Sequence, residues 1–389
     1  MIPYSRQEIL KEDIDEVKKI LRSDFLTQGP VVPSFENAVA NYCNSSHAIA
    51  VNSGTSALHL ACLALKLGKG DFLWTSPNTF PASANCALYC GANVDFVDID
   101  PKTYNISIPA LSSKLAKAEK IGKLPKVVVP VHFAGQPCDM LAIKKLSKKY
   151  GFKIIEDASH AIGASYNNNI KVGSCRHSDI TVFSFHPVKI ITTGEGGMAL
   201  TNDDKISDHI RRLSTHGITR NKKLMESRPI NEIWNYQQIE LGLNYRMSDI
   251  HAALGLSQLN RLDEYVTIRQ KIASRYNLKF LNSDLKIPWQ RKNTYSSYHL
   301  YPICIPKKKI KKTQKDFFDV LKKNNIMPNV HYIPVHRHPY YEKLGFKSGD
   351  FPEAELFHRQ AISLPIYPSL SEKKQDIVIK SIIQFLNYE

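Results

Sequence analysis

Between Thr181 and Gly197 the chain reads Thr-Val-Phe-Ser-Phe-His-Pro-Val-Lys-Ile-Ile-Thr-Thr-Gly-Glu-Gly-Gly, and its single lysine, Lys189, is either one of many surface lysines or a nucleophile set between a strand end and a glycine turn. Residues 181–185 alternate with the period of a short buried strand. Pro187 ends that run for want of an N–H, and Gly194, Gly196 and Gly197 free the backbone beyond it. A lysine taken out of water at such a strand end has a lowered pKa, and its neutral amine can attack a carbonyl. A second strand-like run, 153–156, leads into Asp157, with His160 three residues on. A carboxylate there is commonly a turn residue, but a cofactor with a cationic ring nitrogen also requires one. In the third stretch, Asn52-Ser-Gly-Thr-Ser runs into an apolar helical pattern. Its free N–H groups suit a phosphate, although Ser or Thr there can be a plain N-cap. Lysine, carboxylate and helix start together are the equipment for holding pyridoxal 5'-phosphate.

These residues need a frame. Strand patterns at 48–51, 71–75, 94–97, 126–131, 153–156, 181–185 and 198–201 alternate with helical patterns at 55–67, 81–90, 110–118 and 139–150. That alternation predicts a mainly parallel sheet covered on both faces, with ligands beyond the carboxyl ends of the strands. Asp157, His132 and Lys189 fall at or near those ends. Residues 7–22 read as an amphipathic helix with Ile14, Val17, Ile20 and Leu21 on one face. A polar loop, 25–30, follows. After a helix to Leu213, residues 214–239 form a loop-rich insert of the length that usually carries function. Helical patterns at 248–262 and on to 281 lead to strands at 298–305 and 362–364 and helices at 313–324 and 373–387. The expected division is an arm (1–12), a large α/β domain (13–255), and a linking helix with a small C-terminal α/β domain (256–389).

Net charge is 52 − 36 = +16, which suits anionic partners of several kinds. The lysines are scattered except for Lys307-Lys-Lys-Ile-Lys-Lys312, read as a solvated loop rather than a nucleic-acid patch. Seven cysteines without metal-like or paired spacing fit a reducing cytoplasm. No run is long and apolar enough for a membrane span, and the N-terminus lacks a signal-like apolar region. His331, His336 and His338 lack the companions of a metal site. Neither a dinucleotide fingerprint nor a P-loop occurs, so no metal, nucleic acid or membrane partner is expected.

The order of motifs resembles the DegT/DnrJ/EryC1/StrS sugar aminotransferases across nearly the whole chain. The residues that carry it are Leu26-Thr-Gln-Gly29, Ser53-Gly-Thr-Ser-Ala57, Asn78-Thr-Phe-Pro-Ala-Ser83, Glu156-Asp-Ala-Ser-His160, Phe183-Ser-Phe-His-Pro-Val-Lys189, Gly194-Glu-Gly-Gly197 and Gly242-Leu-Asn-Tyr-Arg-Met-Ser-Asp-Ile250. Three further segments, 189–193, 297–302 and 330–334, look most like the members that act in pseudaminic acid synthesis. The resemblance implies fold type I of the pyridoxal-phosphate enzymes, with Lys189 catalytic and Asp157 on the ring nitrogen. Phe80 would stack on the cofactor, and His160 would lie against its ring or 3-hydroxyl. Gly54, Thr55, Ser56 and Ser184 would hold the phosphate, with Asn244 reaching it from the neighbouring subunit of a homodimer. It further implies a sugar-nucleotide site around Tyr4, Asp24, Phe25, Leu26, Thr27, Gly54, Ser184, Asn244, His331, Tyr332, Ile333 and Pro334. The implied reaction moves an amino group from L-glutamate to C4 of a UDP-linked 4-keto-6-deoxy-N-acetylhexosamine. A related dehydratase would carry histidine in place of Lys189. Arg220 and Arg246 are candidates for the glutamate carboxylate.

Overall fold

A computed structural model describes residues 1–167, 170–227, 234–305 and 312–387. Most of the basic run, 307–311, and part of the insert, 228–233, lie outside the described residues. In chain order the strands are Ile2–Pro3 (β1), His47–Val51 (β2), Phe72–Thr75 (β3), Asn93–Phe96 (β4), Val127–Val129 (β5), Lys153–Asp157 (β6), Ile180–Ser184 (β7), Gly197–Thr201 (β8), Ile218–Thr219 (β9), Gln237–Gln238 (β10), Tyr301–Cys304 (β11), Ile326–Met327 (β12) and Ala361–Leu364 (β13). The helices that matter below are Lys11–Leu21 (α1), Val31–Cys43 (α2), Gly54–Ala64 (α3), Ala82–Tyr89 (α4), Ile108–Lys120 (α5), Met140–Tyr150 (α6), Asp204–Leu213 (α7), Asp249–Leu259 (α8) and Leu262–Phe280 (α9).

Seven strands make the central sheet in the order β2-β8-β7-β6-β5-β3-β4. All neighbours are parallel except β8, which runs antiparallel to β2 and β7. The sheet is therefore the mainly parallel, helix-covered one that the alternation predicts. Because side chains alternate across a strand, the sheet divides its apolar residues between two cores. Ile154, Phe183 and Phe185 join one, and Ile155, Ile180 and Val182 join the other. The same alternation sends Glu156 and Asp157 to opposite faces.

A third core lies towards the C-terminus, around α9, β11 and β13. Strand β1 pairs parallel with β12, so the first residues join this C-terminal part. Strand β11 is shorter than the 298–305 pattern suggests. Tyr298 has φ +45°, a left-handed conformation that breaks the strand before it starts. Helix α1 also differs from its pattern: Asp13 and Ile20 are buried, while Ile14 and Leu21 are exposed. The carboxylate of Asp13 accepts bonds from Ser257, Gln258 and Arg261, so a polar contact with α8 and its C-terminal end sets the inward face. Helix α2 was not apparent from periodicity. Its first N–H groups, on Val31 and Val32, are capped from afar by Asp249.

Candidate active site

The carboxyl ends of β6 and β7 and the start of α3 meet at a cavity of about 370 Å³. Strand alternation puts Asp157 and Ser184 on the face covered by α3, and both line this cavity. Asp157 is buried, and its carboxylate is fixed by two donors. The Ser83 hydroxyl lies 2.6 Å from Oδ2, and the Ser159 N–H is 3.1 Å from Oδ1. Ser83 comes from the first turn of α4, which thereby orients a residue 74 positions away.

Lys189 stands in a turn closed by its own N–H on the His186 carbonyl at 2.9 Å. The preceding carbonyl, of Val188, accepts from the Ser5 hydroxyl at 3.1 Å, so the N-terminal segment braces the lysine turn. Crowding of the amine by protein pushes its pKa down to about 8, against the opposing pull of the Asp157 charge. A neutral amine is thus accessible near neutral pH.

Also lining the cavity, Ser53 caps α3 by accepting the Ser56 N–H at 3.0 Å. A Cβ on Gly54 would fall 2.9 Å from the Ser184 Cβ, and one on Gly197 would fall 2.3 Å from the Ser53 carbonyl. Only glycine lets the helix start, β7 and β8 close up this far. Ser53, Gly54, Thr55 and Ser184 line the resulting cradle of hydroxyls and N–H groups. Ser56 does not line it; its hydroxyl bonds Asn52 at 2.6 Å and Ser53 at 2.8 Å.

A wall of histidine and tyrosine completes the cavity. The Ala134 N–H donates to His160 Nδ1 at 3.3 Å, which leaves the neutral ring's proton on Nε2, 3.0 Å from the Tyr332 hydroxyl. Burial, then the Lys189 and His331 charges, hold His160 well below the ordinary histidine pKa. His331 bonds the Ser363 hydroxyl at 2.8 Å, and its pKa falls to about 3 through burial and then the charge of Lys189. Tyr4 packs on His331 at 5.1 Å between ring centroids. Phe80 is 60% exposed at the rim, with its ring edge towards Tyr332. It lies just before α4, which starts at Ala82.

One chain thus brings Tyr4, Gly54, Thr55, Phe80, Asp157, His160, Ser184, Lys189, His331 and Tyr332 to one cavity. Asp24, Phe25, Leu26, Thr27, Asn244, Ile333 and Pro334 are not part of its lining. The 24–30 loop is instead docked on α8, where the Asp249 N–H bonds the Leu26 carbonyl and the Asp249 carboxylate bonds the Gly29 N–H. Asn244 is exposed on a loop stitched to the end of β2. Arg220 and Arg246 do not line the cavity either. His132 turns away to the opposite face, where it meets Glu156 at 2.7 Å. His336, from the 331–338 histidine group, pairs with Glu355. Ser53, Ser83, Ser159, Glu195, His299 and Asn329 line the cavity without having been singled out from sequence. All but Asn329 stand in the motifs and segments given above, but nothing in spacing separates a serine that bonds a carboxylate from a cap.

Over residues 7–383 the chain matches the model of the DegT/DnrJ/EryC1/StrS aminotransferase family. It is 41% identical to the spore coat polysaccharide biosynthesis protein SpsC of Bacillus subtilis, covering 98% of this chain and 96% of that protein. Identity is 38% with the UDP-4-amino-4,6-dideoxy-N-acetyl-beta-L-altrosamine transaminase of Campylobacter jejuni, over 99% of this chain and 98% of the relative. The structure superposes with a TM-score of 0.88 on Helicobacter pylori PseC, an aminotransferase involved in the biosynthesis of pseudoaminic acid, at 31% identity and 99% coverage of both chains. With these likenesses running the length of a chain whose lysine, carboxylate and glycine-built cradle share one cavity, the protein belongs to the DegT/DnrJ/EryC1/StrS aminotransferase family and is a sugar aminotransferase.

Proposed function

We propose that the protein uses pyridoxal 5'-phosphate to move an amino group from L-glutamate to C4 of a UDP-linked 4-keto-6-deoxy-N-acetylhexosamine, UDP-2-acetamido-2,6-dideoxy-β-L-arabino-hexos-4-ulose. The product would be UDP-4-amino-4,6-dideoxy-N-acetyl-β-L-altrosamine, a precursor for pseudaminic acid. The observation that carries the reading is the placement of Lys189 and Asp157 at one cavity that is also lined by Ser53, Gly54, Thr55 and Ser184 at the start of α3 and the end of β7. When bound, the cofactor supplies a carbonyl carbon for amine exchange and a ring that withdraws electrons from the donor's α-carbon.

The residues fit that group. The cradle of Ser53, Gly54, Thr55 and Ser184 offers a phosphate the positive end of α3. Asp157, held by Ser83 and Ser159, would keep a ring nitrogen protonated. Phe80, exposed beside the cavity, has a free face for stacking. Lys189 would hold the cofactor through its amine. Once displaced by the donor, that amine would take the proton from the α-carbon. Return of a proton to C4 of the sugar completes the exchange, so donor and acceptor use one lysine in turn. Phe25, Leu26, Trp234 and Leu241 are exposed, and so is Asn244. We assign these exposed residues to the contact with a second copy of the chain, whose Asn244 and 24–27 loop would complete the sugar-nucleotide site beside Tyr4, His331 and Tyr332.

Incubation with L-glutamate and either the UDP-linked or a dTDP-linked 4-keto-6-deoxy sugar, followed by mass spectrometry of the nucleotide product, tests the assignment. Amination of the UDP-N-acetyl sugar alone is expected. Amination of only the dTDP sugar would keep the chemistry and refute the substrate. The likeness to a spore coat polysaccharide protein makes another nucleotide-linked keto sugar the second reading.

A further inference from the structure

His299 lines the same cavity and is 2% exposed, yet no residue among those described bonds either of its ring nitrogens. Nδ1 is unpaired and sealed from solvent, whereas Nε2, equally without a partner, is not sealed and is the nitrogen open to the cavity. Polar atoms of a buried side chain are nearly always satisfied, and one left open to a binding cavity points to a ligand. The neighbouring imidazoles are already engaged, His160 by Ala134 and Tyr332 and His331 by Ser363. His299 packs against His160 with ring centroids 4.5 Å apart, which fixes its plane.

The backbone that carries His299 is held at some expense. Arg269, on α9, is fully buried and spends its guanidinium on the carbonyls of Ile366 at 2.9 Å, His299 at 3.3 Å and Tyr298 at 3.4 Å. No carboxylate is recorded against it among the described residues, and burial lowers its pKa to about 9. An unpaired buried cation is costly; here it locks the left-handed Tyr298 and sets His299 at the cavity wall. From the other side, the Ser297 hydroxyl bonds the His160 carbonyl at 2.8 Å.

Among the described residues the cavity lining has no arginine, and its only lysine is Lys189. If Lys189 is committed to the cofactor, an amino-acid donor finds no free cation in that described lining for its carboxylates. We propose that His299 is a carboxylate-binding residue of this cavity, its imidazole donating an N–H to the amino donor. The proposal rests on the aminotransferase reading only for the identity of the donor. A neutral imidazole serves this purpose, and burial, followed by the charges of His160 and Lys189, keeps His299 neutral by holding its pKa well below the ordinary value.

The test uses glutarate, a dicarboxylate without an amine, titrated calorimetrically into cofactor-loaded protein. Wild type should bind it. His299→Phe and the smaller His299→Leu should bind about tenfold or more weakly, the effect of one hydrogen bond to a charged group. His299→Gln, which restores an N–H, should recover part of the loss. The Phe variant should melt no lower than wild type, since it removes a buried unpaired nitrogen. That separates a ligand role from a structural one. Binding of glutarate to the Phe and Leu variants within twofold of wild type, or no binding to wild type, would overturn the proposal. So would loss on Arg246→Gln with none on the His299 variants. The glutamate reaction is followed in parallel. Turnover that ignores His299 refutes this inference alone, whereas His299-dependent glutarate binding without turnover supports it and refutes only the functional reading.

Discussion

The lowered pKa of Lys189 makes a quantitative demand on the cofactor-free protein. With the pKa at about 8, roughly a tenth of the amine is neutral at pH 7, against about one part in three thousand for a lysine near 10.5. At pH 7 the neutral fraction of Lys189 is therefore roughly 300-fold that of a pKa-10.5 lysine of equal access, and the amine should acylate faster by up to that factor. The rate should climb through a midpoint near 8 and level off above it. The charge on Asp157 opposes the desolvation. Its loss in Asp157→Asn must therefore lower the midpoint, raising reactivity at pH 7 even as the site loses its partner for a ring nitrogen. Competitive acetylation across pH, read by mass spectrometry of the peptide containing Lys189, measures both. A midpoint above 10, or a midpoint that rises in Asp157→Asn, would refute the electrostatic reasoning.

Two further substitutions probe the frame. Gly54→Ala places a methyl 2.9 Å from the Ser184 Cβ; it should cost about 1–3 kcal/mol by overpacking and weaken cofactor retention in equilibrium dialysis by more than it weakens folding. Glu156→Gln strikes the opposite face, where one buried carboxylate accepts from His132, Tyr166, Ser178 and Thr181. Burial alone would raise its pKa, but those donors, His132 foremost, hold it lowered. The amide should cost on the order of 3 kcal/mol, read as a lower urea midpoint.

The sheet was legible because its strands are short apolar runs with period two and its helices have ordinary spacing. Asp157 and Lys189 were legible for the same reason: strand ends mark where side chains reach a ligand. Contacts distant in sequence were not. Helix α2 depends on a cap from Asp249, more than 200 positions away, and the buried face of α1 depends on Asp13 meeting α8 and its end. His299 was hidden because the left-handed Tyr298 interrupts what reads as a continuous strand. Within the cavity, Ser83 owes its place to a fold contact with Asp157 that no local pattern encodes. Asp24–Thr27 and Asn244 entered the reading through resemblance alone, and none of them lines the cavity of a single chain.

The central claim is that Lys189 carries the cofactor and passes an amino group from donor to sugar. The most direct test is an absorbance titration of protein reconstituted with pyridoxal 5'-phosphate. The account predicts a visible band in wild type and none in Lys189→Ala. L-Glutamate should abolish the band, and the UDP-linked 4-keto sugar should restore it. Wild-type protein that forms no lysine-dependent band, or whose band is indifferent to L-glutamate, would contradict it.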